Sequence, residues 1–344
     1  MSERPYHKSL RLQNFTAFQD VTFEFVPGVN AFVGENGTGK THVMKALYAW
    51  QLAKSREDLD LPIRQVLGET FQTQDPIQLT RLGVGDSTVA HMSGAYSSYT
   101  WEYHLNPVAS PDSYLSRKYT EKVTRPVFIP AIDMMGHTRR FVEAYDEVRL
   151  DFDRTCRDIV NLMALERKNG KSTGSPFEDA LVSLLGGELE RDNEGRFYLV
   201  TKIGRLPMPL IGEGLRKIAT LVQLQRNGWL TEGTTLFWDE PEVNLNPILM
   251  DEVIGALLAL TRTGVQVFLA THSYVILKEL DLQARKEDDV RYFGFQRSDA
   301  GTTVTATDDF ALLEPNSILE QYDSLYDREL TRATGRNRNG ERVR

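Results

Sequence analysis

The clearest chemical signature in the sequence is a glycine-rich stretch. Residues 34–41 read GENGTGKT and fit the pattern GxxxxGK[ST] at every position. The glycines free backbone N–H groups to surround phosphates, Lys40 can reach the β and γ oxygens, and the Thr41 hydroxyl can ligate Mg²⁺. The alternative is a glycine turn without a ligand, but a strand pattern before and a helical pattern after favour a phosphate loop. The predicted nucleotide-binding residues are Gly34, Glu35, Asn36, Gly37, Thr38, Gly39, Lys40 and Thr41.

A second segment with residues suited to catalysis lies at 235–247, where an apolar run ends in two adjacent carboxylates. Asp239 is suited to hold Mg²⁺, and Glu240 to polarise the attacking water that phosphoryl transfer needs. A later apolar run ends at His272, where an imidazole could contact the γ-phosphate and sense its loss. In a chain without a phosphate loop, the two carboxylates would be read as an acidic turn and His272 as a core or capping histidine. Because a phosphate loop precedes them here, they predict an ATP hydrolase. The predicted catalytic residues are Lys40, Glu240 and His272, and the predicted Mg²⁺ ligands are Thr41 and Asp239.

A second glycine-rich helix start occurs at Gly212-Glu213-Gly214, before a helical pattern with an apolar face. Bare backbone N–H groups at a helix start form an anion site. Because the chain already has its own phosphate loop, this second site is predicted to serve the nucleotide of another copy. The alternative is a helix start without a ligand.

Composition narrows the class of protein. With 344 residues and 41% hydrophobic residues, the chain can bury a substantial core, and no apolar run approaches the roughly 20 residues of a membrane helix. The single cysteine, Cys156, excludes an internal disulfide and suits a reducing compartment, so a cytoplasmic protein is expected. The net charge of −8 argues against a surface that coats nucleic acid indiscriminately.

The chain resembles the ABC-type ATPases of the SMC, RecF and OLD group, often labelled AAA family ATPases. The resemblance rests on "LRLQNFTAFQDVTFEFVPGVNAFVGENGTGKT", the signature-like "IGEGLRK", "LFWDEPEVNLNP" as Walker B and D-loop, and "FLATHS" as the switch histidine. It implies an α/β P-loop fold with a mainly parallel core sheet, amino-terminal antiparallel strands and a compact inserted α/β subdomain. It also implies that two heads sandwich two ATP molecules, with Gly212, Glu213 and Gly214 acting in trans and Asn244 and Asn246 on the D-loop.

Three positions depart from the family pattern. Gly212 stands where typical heads carry the signature serine, and Thr16 stands where many relatives carry Arg or Lys. The Q-loop glutamine has no clear match, and the candidates are Gln65, Gln72, Gln74 and Gln78.

The spacing between the motifs predicts how the chain is divided into segments. Lys40 and Asp239 are 199 residues apart, which implies an insert relative to transporter heads. Its first part is predicted to be an antiparallel sheet. The expected segments are an amino-terminal lobe with the phosphate loop (1–60), the antiparallel sheet and helical subdomain (61–205), a lobe with the signature, Walker B, D-loop and switch histidine (206–330), and a mobile basic tail (331–344). Acidic residues interleave with Arg139, Arg140, Arg149, Arg154 and Arg157, which favours a solvated helix face over a DNA or partner contact.

The preferred hypothesis is a Mg²⁺-dependent ATPase that assembles head-to-head on ATP and controls a separately encoded effector, such as a nuclease, in anti-phage defence. No heptad tract or zinc hook is present, and the segment after His272 has no room for a Toprim nuclease. The alternative is a RecF-like DNA repair ATPase with duplex DNA as its direct ligand. A transporter subunit and a small-molecule kinase fit the motifs less well.

Overall fold

The computed structural model describes residues 4–55, 61–83, 88–105, 123–148, 150–165, 176–299, 301–314 and 316–334. Over these residues the chain forms a mixed α/β fold around a mainly parallel sheet, as the sequence predicts. The ten residues 335–344 of the expected mobile tail lie outside the described residues. Among the described helices, none combines the length and the apolar character that a membrane span requires.

Among the described residues, the central sheet has six strands. Five are parallel, and the last pairs antiparallel at one edge. In spatial order they are β13 (Gly301–Thr307), β12 (Val290–Ser298), β3 (Val29–Gly34), β11 (Gln266–Thr271), β10 (Thr235–Asp239) and β6 (Val127–Ile129). The carboxyl ends of parallel strands meet at one edge of a sheet. The residues after β3, β10 and β11, which carry the three predicted catalytic segments, therefore lie at the same edge.

Side chains of the central strands alternate between two cores. On β10, Phe237 enters one core, while Leu236 and Trp238 enter the other. Every residue of β3, β10 and β11 is buried. Burial on both faces explains why these strands appear in the sequence as continuous apolar runs rather than as alternating patterns.

An antiparallel sheet covers one core. Its order is β2 (Phe18–Glu24), β1 (His7–Phe15), β4 (His91–Tyr96) and β5 (Tyr99–His104). The Gln266 side chain joins β1 to the central sheet, since its Oε1 accepts from the His7 N–H at 2.9 Å and its Nε2 donates to the His7 carbonyl at 2.9 Å. Because β1 pairs with β4, this sheet extends across the segment boundary expected at residue 60.

Helices pack on both faces of the central sheet, and a small antiparallel sheet belongs to the insert. The helices are α1 (Lys40–Lys54), α2 (Ile63–Phe71), α3 (Phe141–Val148), α4 (Arg154–Ala164), α5 (Pro176–Leu185), α6 (Glu213–Arg226), α7 (Met250–Arg262), α8 (Tyr274–Gln283) and α9 (Ser317–Thr334). The small sheet consists of β7 (Glu188–Arg191), β8 (Phe197–Thr201) and β9 (Gly204–Pro207). Helix α9 continues four residues past the expected tail boundary at residue 330.

The insert is attached to the helix that follows the phosphate loop. On α1, the Tyr48 hydroxyl donates to Asp158 at 2.6 Å, and Lys45 Nζ lies 2.7 Å from Asp153. Asp153 also caps α4 by accepting the N–H of Thr155 at 2.8 Å. Helix α4 is therefore held against α1 by directional polar contacts as well as by apolar packing.

Two sequence expectations for the insert need correction or comment. Arg154 does not lie on a solvated face: it is buried and contacts Asp158 and Glu69, because the chain folds this helix against α1 and α2. Arg157 pairs with Asp146 at 2.7 Å, while Arg149 lies outside the described residues. Cys156 is buried, and burial raises the pKa of its thiol to about 12, as suits an idle packed thiol.

Candidate nucleotide site

The phosphate loop follows β3, and α1 begins at Lys40. The Lys40 ammonium is buried and donates to the carbonyls of Gly34 at 2.7 Å and Glu35 at 2.8 Å. The Thr38 hydroxyl donates to the Glu35 carbonyl at 2.8 Å. These contacts close the loop around a positive charge, while Glu35, Asn36 and Gly37 remain exposed at its tip. The result is a cationic, backbone-lined turn at a helix start, which is the arrangement that binds phosphates.

Gly39 shows why the loop needs a glycine immediately before α1. Its φ is 95°, in the left-handed region, and a Cβ there would lie 2.8 Å from Phe18 Cζ. Any other residue would meet both backbone strain and a steric clash with the antiparallel sheet.

The folded chain brings the two predicted Mg²⁺ ligands together. Thr41 Oγ1 lies 3.0 Å from each carboxylate oxygen of Asp239. Burial raises the pKa of Asp239 to about 6, and the Thr41 hydrogen bond opposes that shift. A hydroxyl and a carboxylate are oxygen ligands of the type that Mg²⁺ prefers, so the pair fits this ion.

Glu240 follows Asp239 in an unusual backbone conformation. Its φ is 47°, its N–H donates to the Ala270 carbonyl at 2.9 Å, and its carbonyl accepts from Lys217 Nζ at 3.0 Å. Left-handed backbone is rare outside glycine and occurs at functional sites where surrounding contacts maintain it. Here those contacts hold the turn, while the carboxylate remains about one-third exposed, at 31%.

His272 lies beside Glu240, and a third acid, Glu242, orients it. His272 Nδ1 is 3.7 Å from Glu240 Oε1 and 3.3 Å from Glu242 Oε1. Glu242 is buried, and its Oε1 accepts from the Thr271 hydroxyl at 2.8 Å and from the His272 N–H at 2.7 Å. Sequence reasoning missed Glu242 and the buried Lys217. The signal for Glu242 was a second carboxylate two residues after the expected water-positioning one.

The signature and D-loop candidates lie against each other. Asn244 Nδ2 donates to Glu213 Oε2 at 2.8 Å, and a Cβ on Gly214 would lie 2.6 Å from the Asn244 carbonyl oxygen. Asn246 caps the next turn by accepting the Ile248 N–H at 3.2 Å. Gly214 therefore permits close packing of α6 on the D-loop. Gly212, by contrast, has open space where its Cβ would be.

The start of α6 also contacts the loop after β6. Arg216 Nε lies 2.7 Å from Asp133 Oδ2, and its Nη1 donates to the Ile211 carbonyl at 2.6 Å. Sequence reasoning missed this link between residues 83 positions apart. Three of the Q-loop candidates contact nearby side chains: Gln65 contacts Glu69, Gln72 contacts Asp151, and Gln78 contacts Thr73.

The relatives found by sequence match only part of the chain. The DNA replication and repair protein RecF of Staphylococcus haemolyticus (strain JCSC1435) is 44% identical over 48 residues, which is 14% of this chain and 13% of that protein. RecF of Limosilactobacillus reuteri (strain DSM 20016) is 46% identical over 46 residues, 13% of this chain and 12% of that protein. The matched stretch thus spans about one-eighth of these relatives.

Solved structures of similar fold are more extensive matches. One is an Smc head domain from Pyrococcus furiosus with an extended coiled coil, bound to the carboxyl-terminal domain of ScpA. The match covers 94% of this chain and 100% of that one, with a TM-score of 0.57 at 12% identity. An Smc head bound to the C-winged helix domain of ScpA matches 88% of this chain and 97% of its own, with a TM-score of 0.53 at 13% identity. At these identities the likeness concerns the fold.

A family match covers the core of the chain. Residues 29–278 match the family described as "AAA domain, putative AbiEii toxin, Type IV TA system". This span includes the phosphate loop, Asp239, Glu240 and His272. Since it covers more than two-thirds of the sequence, the chain belongs to this AAA-domain family.

Proposed function

We propose that the chain hydrolyses Mg²⁺-bound ATP with the residues placed at the carboxyl edge of the central sheet. The proposal rests on one observation, the pairing of Thr41 with Asp239 directly beside Glu240. Lys40 would bind the β and γ oxygens, and Thr41 and Asp239 would hold a Mg²⁺ ion, whose charge would offset that of the phosphates. Glu240 positions and polarises the attacking water. His272, oriented by Glu242, contacts the γ-phosphate and registers its loss.

The proposed assembly is head-to-head, with the signature of one copy meeting the nucleotide of another. Large apolar side chains are exposed beside the segments involved. Leu210 lies two residues before Gly212, Ile248 lies two residues after Asn246, and Ile132 is next to Asp133; their exposed fractions are 74%, 76% and 50%. Exposed apolar groups around a glycine-rich helix start are suited to an interface. They support burial of this face against a second copy.

The proposed output is control of a separately encoded effector in the cytoplasm, in anti-phage defence. The family description names a toxin of a type IV toxin–antitoxin system, which is a two-component arrangement. The two Smc heads are bound to domains of ScpA, so heads of this fold can carry protein partners. Both observations support a partner chain.

The test traps the ATP-bound state with Glu240→Gln. Light scattering after size exclusion should show a dimer or higher oligomer with Mg²⁺ and ATP, and a smaller species without nucleotide. The matched control, Glu252→Gln, changes an exposed helix residue and should behave as wild type. Affinity purification of the trapped protein from its host should then recover one stoichiometric protein partner. A single species with and without ATP would refute the assembly proposal.

The second candidate is direct DNA binding, which the RecF matches favour. It predicts that duplex DNA stimulates hydrolysis, and that affinity falls steeply with salt because Lys and Arg displace counterions from phosphates. A flat ATPase rate across DNA concentrations at low salt would eliminate this candidate.

A further inference from the structure

The antiparallel sheet carries a cluster of two histidines and one carboxylate away from the nucleotide site. His91 on β4 and His104 on β5 are directly opposed in the strand register, and Glu102 lies two residues before His104 on the same face. The alternating residues Met92, Trp101 and Tyr103 enter the core, so the cluster occupies the outer face. Strand β5 is an edge strand of this sheet over the described residues.

The nitrogen atoms of both imidazoles converge on a single oxygen. His91 Nε2 lies 2.8 Å from Glu102 Oε1, and His104 Nε2 lies 3.1 Å from the same atom. The two rings are nearly parallel, with centroids 4.3 Å apart and planes 22° apart. Each of the three residues offers one potential ligand atom, and these three atoms all lie within 4.8 Å of one another.

A polar chain behind the cluster fixes the tautomer of His91. The Asp20 carboxylate, held by Arg11 at 2.8 and 2.6 Å, can only accept, so the Gln13 amide must donate to it through Nε2 at 3.1 Å. The Gln13 oxygen therefore faces His91 Nδ1 at 2.9 Å, and Nδ1 must carry the proton. In neutral His91 the Nε2 lone pair then points toward the cluster. An outer hydrogen bond that fixes the ring in this way is typical of metal-ligating histidines.

The arrangement leaves one unfavourable contact. With the proton on Nδ1, the buried His91 Nε2 has no hydrogen-bond donor among the described residues, because the atom 2.8 Å away is a Glu102 carboxylate oxygen. In the tautomer that Gln13 imposes, a nitrogen lone pair faces a carboxylate oxygen. A metal ion between the two atoms, or a proton carried by His91 or by Glu102, relieves their mutual repulsion.

We propose that His91, Glu102 and His104 form a binding site for a divalent transition metal, with Zn²⁺ as the best-fitting ion. Its ligands are Nε2 of each histidine and one carboxylate oxygen of Glu102. Bonds of 2.0–2.1 Å in a tetrahedron separate ligand atoms by about 3.3 Å. The separations from Glu102, 2.8 and 3.1 Å, need to lengthen by only a few tenths of an ångström. All three ligand atoms lie within 4.8 Å of one another, so the two imidazole nitrogens need to approach by at most about 1.5 Å. Binding requires the His104 tautomer with its proton on Nδ1: Nε2 gives its proton to solvent, Nδ1 takes one up, and both histidines bind as neutral imidazoles.

Ligand chemistry separates this site from the nucleotide site. Imidazole nitrogens favour Zn²⁺, Co²⁺ and Ni²⁺, whereas Mg²⁺ prefers six oxygen ligands. Three protein ligands leave a fourth position for water. A metal here would join β4 to the edge strand β5 and stiffen the sheet that packs on α1.

The test uses the full chain with any affinity tag removed, treated with EDTA, and without nucleotide. Zn²⁺ is titrated in competition with a chromophoric chelator. Wild type should bind one Zn²⁺ per chain with a Kd near or below about 1 μM, and Co²⁺ in its place should give the visible absorption of a four-coordinate ion. His104→Ala, Glu102→Gln and His91→Ala should each weaken binding by about 100-fold, and Gln13→Leu by about 10-fold through loss of ring orientation.

The matched control is His137→Ala, which removes an exposed histidine far along the chain and should leave Zn²⁺ binding unchanged. Because His104 is half-exposed, His104→Ala should keep the wild-type circular dichroism spectrum and melting temperature in EDTA, which separates lost binding from lost folding. If wild type binds Zn²⁺ no more tightly than the His91→Ala/His104→Ala double variant, the proposal is overturned and a proton bridges the cluster instead. Loss of binding in His137→Ala but not in His104→Ala would overturn it as well.

Discussion

Thr41 and Asp239 are 198 residues apart in sequence, yet the threonine hydroxyl lies 3.0 Å from both oxygens of the aspartate. The contact joins the first turn of α1 to the end of β10. It links the phosphate loop to the acidic pair, and the catalytic predictions depend on it.

Removal of the threonine hydroxyl tests the metal site. Thr41→Ala should lower kcat for ATP hydrolysis by about 10-fold or more and raise the Mg²⁺ concentration needed for half-maximal rate, because one oxygen ligand is lost. The measurement is steady-state hydrolysis across a Mg²⁺ series. Thr303→Ala, on the exposed edge strand β13, is the control. An unchanged Mg²⁺ dependence in Thr41→Ala would contradict the assigned role.

A substitution at Glu240 should separate ATP binding from ATP hydrolysis. Glu240→Gln keeps the size of the side chain and removes the charge that polarises water, so kcat should fall by about 100-fold or more while ATP affinity stays within about 3-fold of wild type. Single-turnover kinetics and a fluorescent nucleotide titration measure the two quantities. Normal hydrolysis by this variant would assign the water to another residue.

The two signature glycines should differ in their tolerance of a methyl group. In Gly214→Ala the added Cβ meets the Asn244 carbonyl at 2.6 Å, so the free energy of unfolding should fall by about 1–3 kcal/mol. Gly212→Ala places its Cβ in open space at a φ of −56°, so its stability should stay within about 0.5 kcal/mol of wild type. Urea unfolding of both variants measures the contrast. Equal losses would show that close packing on the D-loop is not what requires Gly214.

His7 should make folding stability depend on pH. Burial lowers the pKa of His7 to about 4 from 6.5, so below pH 6.5 the unfolded chain takes up a proton that the folded chain does not. This contribution is fully present above pH 6.5 and is lost as the pH falls toward 4, about 3 kcal/mol in all.

The measurement compares wild type with His7→Phe, which keeps a ring among Trp50, Tyr96 and Phe268. At pH 7 the variant should be less stable, since the Gln51 amide loses its partner. The stability difference between the two proteins should change by about 2 kcal/mol in favour of the variant on going from pH 7 to pH 5. If the stability difference between the two proteins did not change with pH, protonation of a group other than His7 would cause the pH dependence.

The sequence was most informative where chemistry restricts residue type. A phosphate loop needs glycines, a lysine and a hydroxyl at set spacing, so residues 34–41 were identifiable, as was the acidic pair that ends β10. Apolar runs that stop at polar residues indicated individual strands, and these predictions depend on local patterns. The mainly parallel arrangement of the core sheet was an implication of the family resemblance.

Contacts between distant segments could not be predicted. Glu242 orients His272 from 30 residues away, and Arg216 contacts Asp133 across 83 residues, and neither pair has a local pattern that singles it out. The charge pattern around Arg154 suggested a solvent-facing helix because charged residues are usually exposed. Paired with Asp158 and Glu69, this one is buried instead.

Helix α1 begins at the lysine that closes the phosphate loop, and one and two turns later it binds α4 through Lys45 and Tyr48. A helix is stiff over this length, so a tilt of its first turn must carry the attached insert with it. Nucleotide binding at the phosphate loop and the position of the insert are therefore coupled through α1. A partner bound to the insert could sense the nucleotide without contacting it.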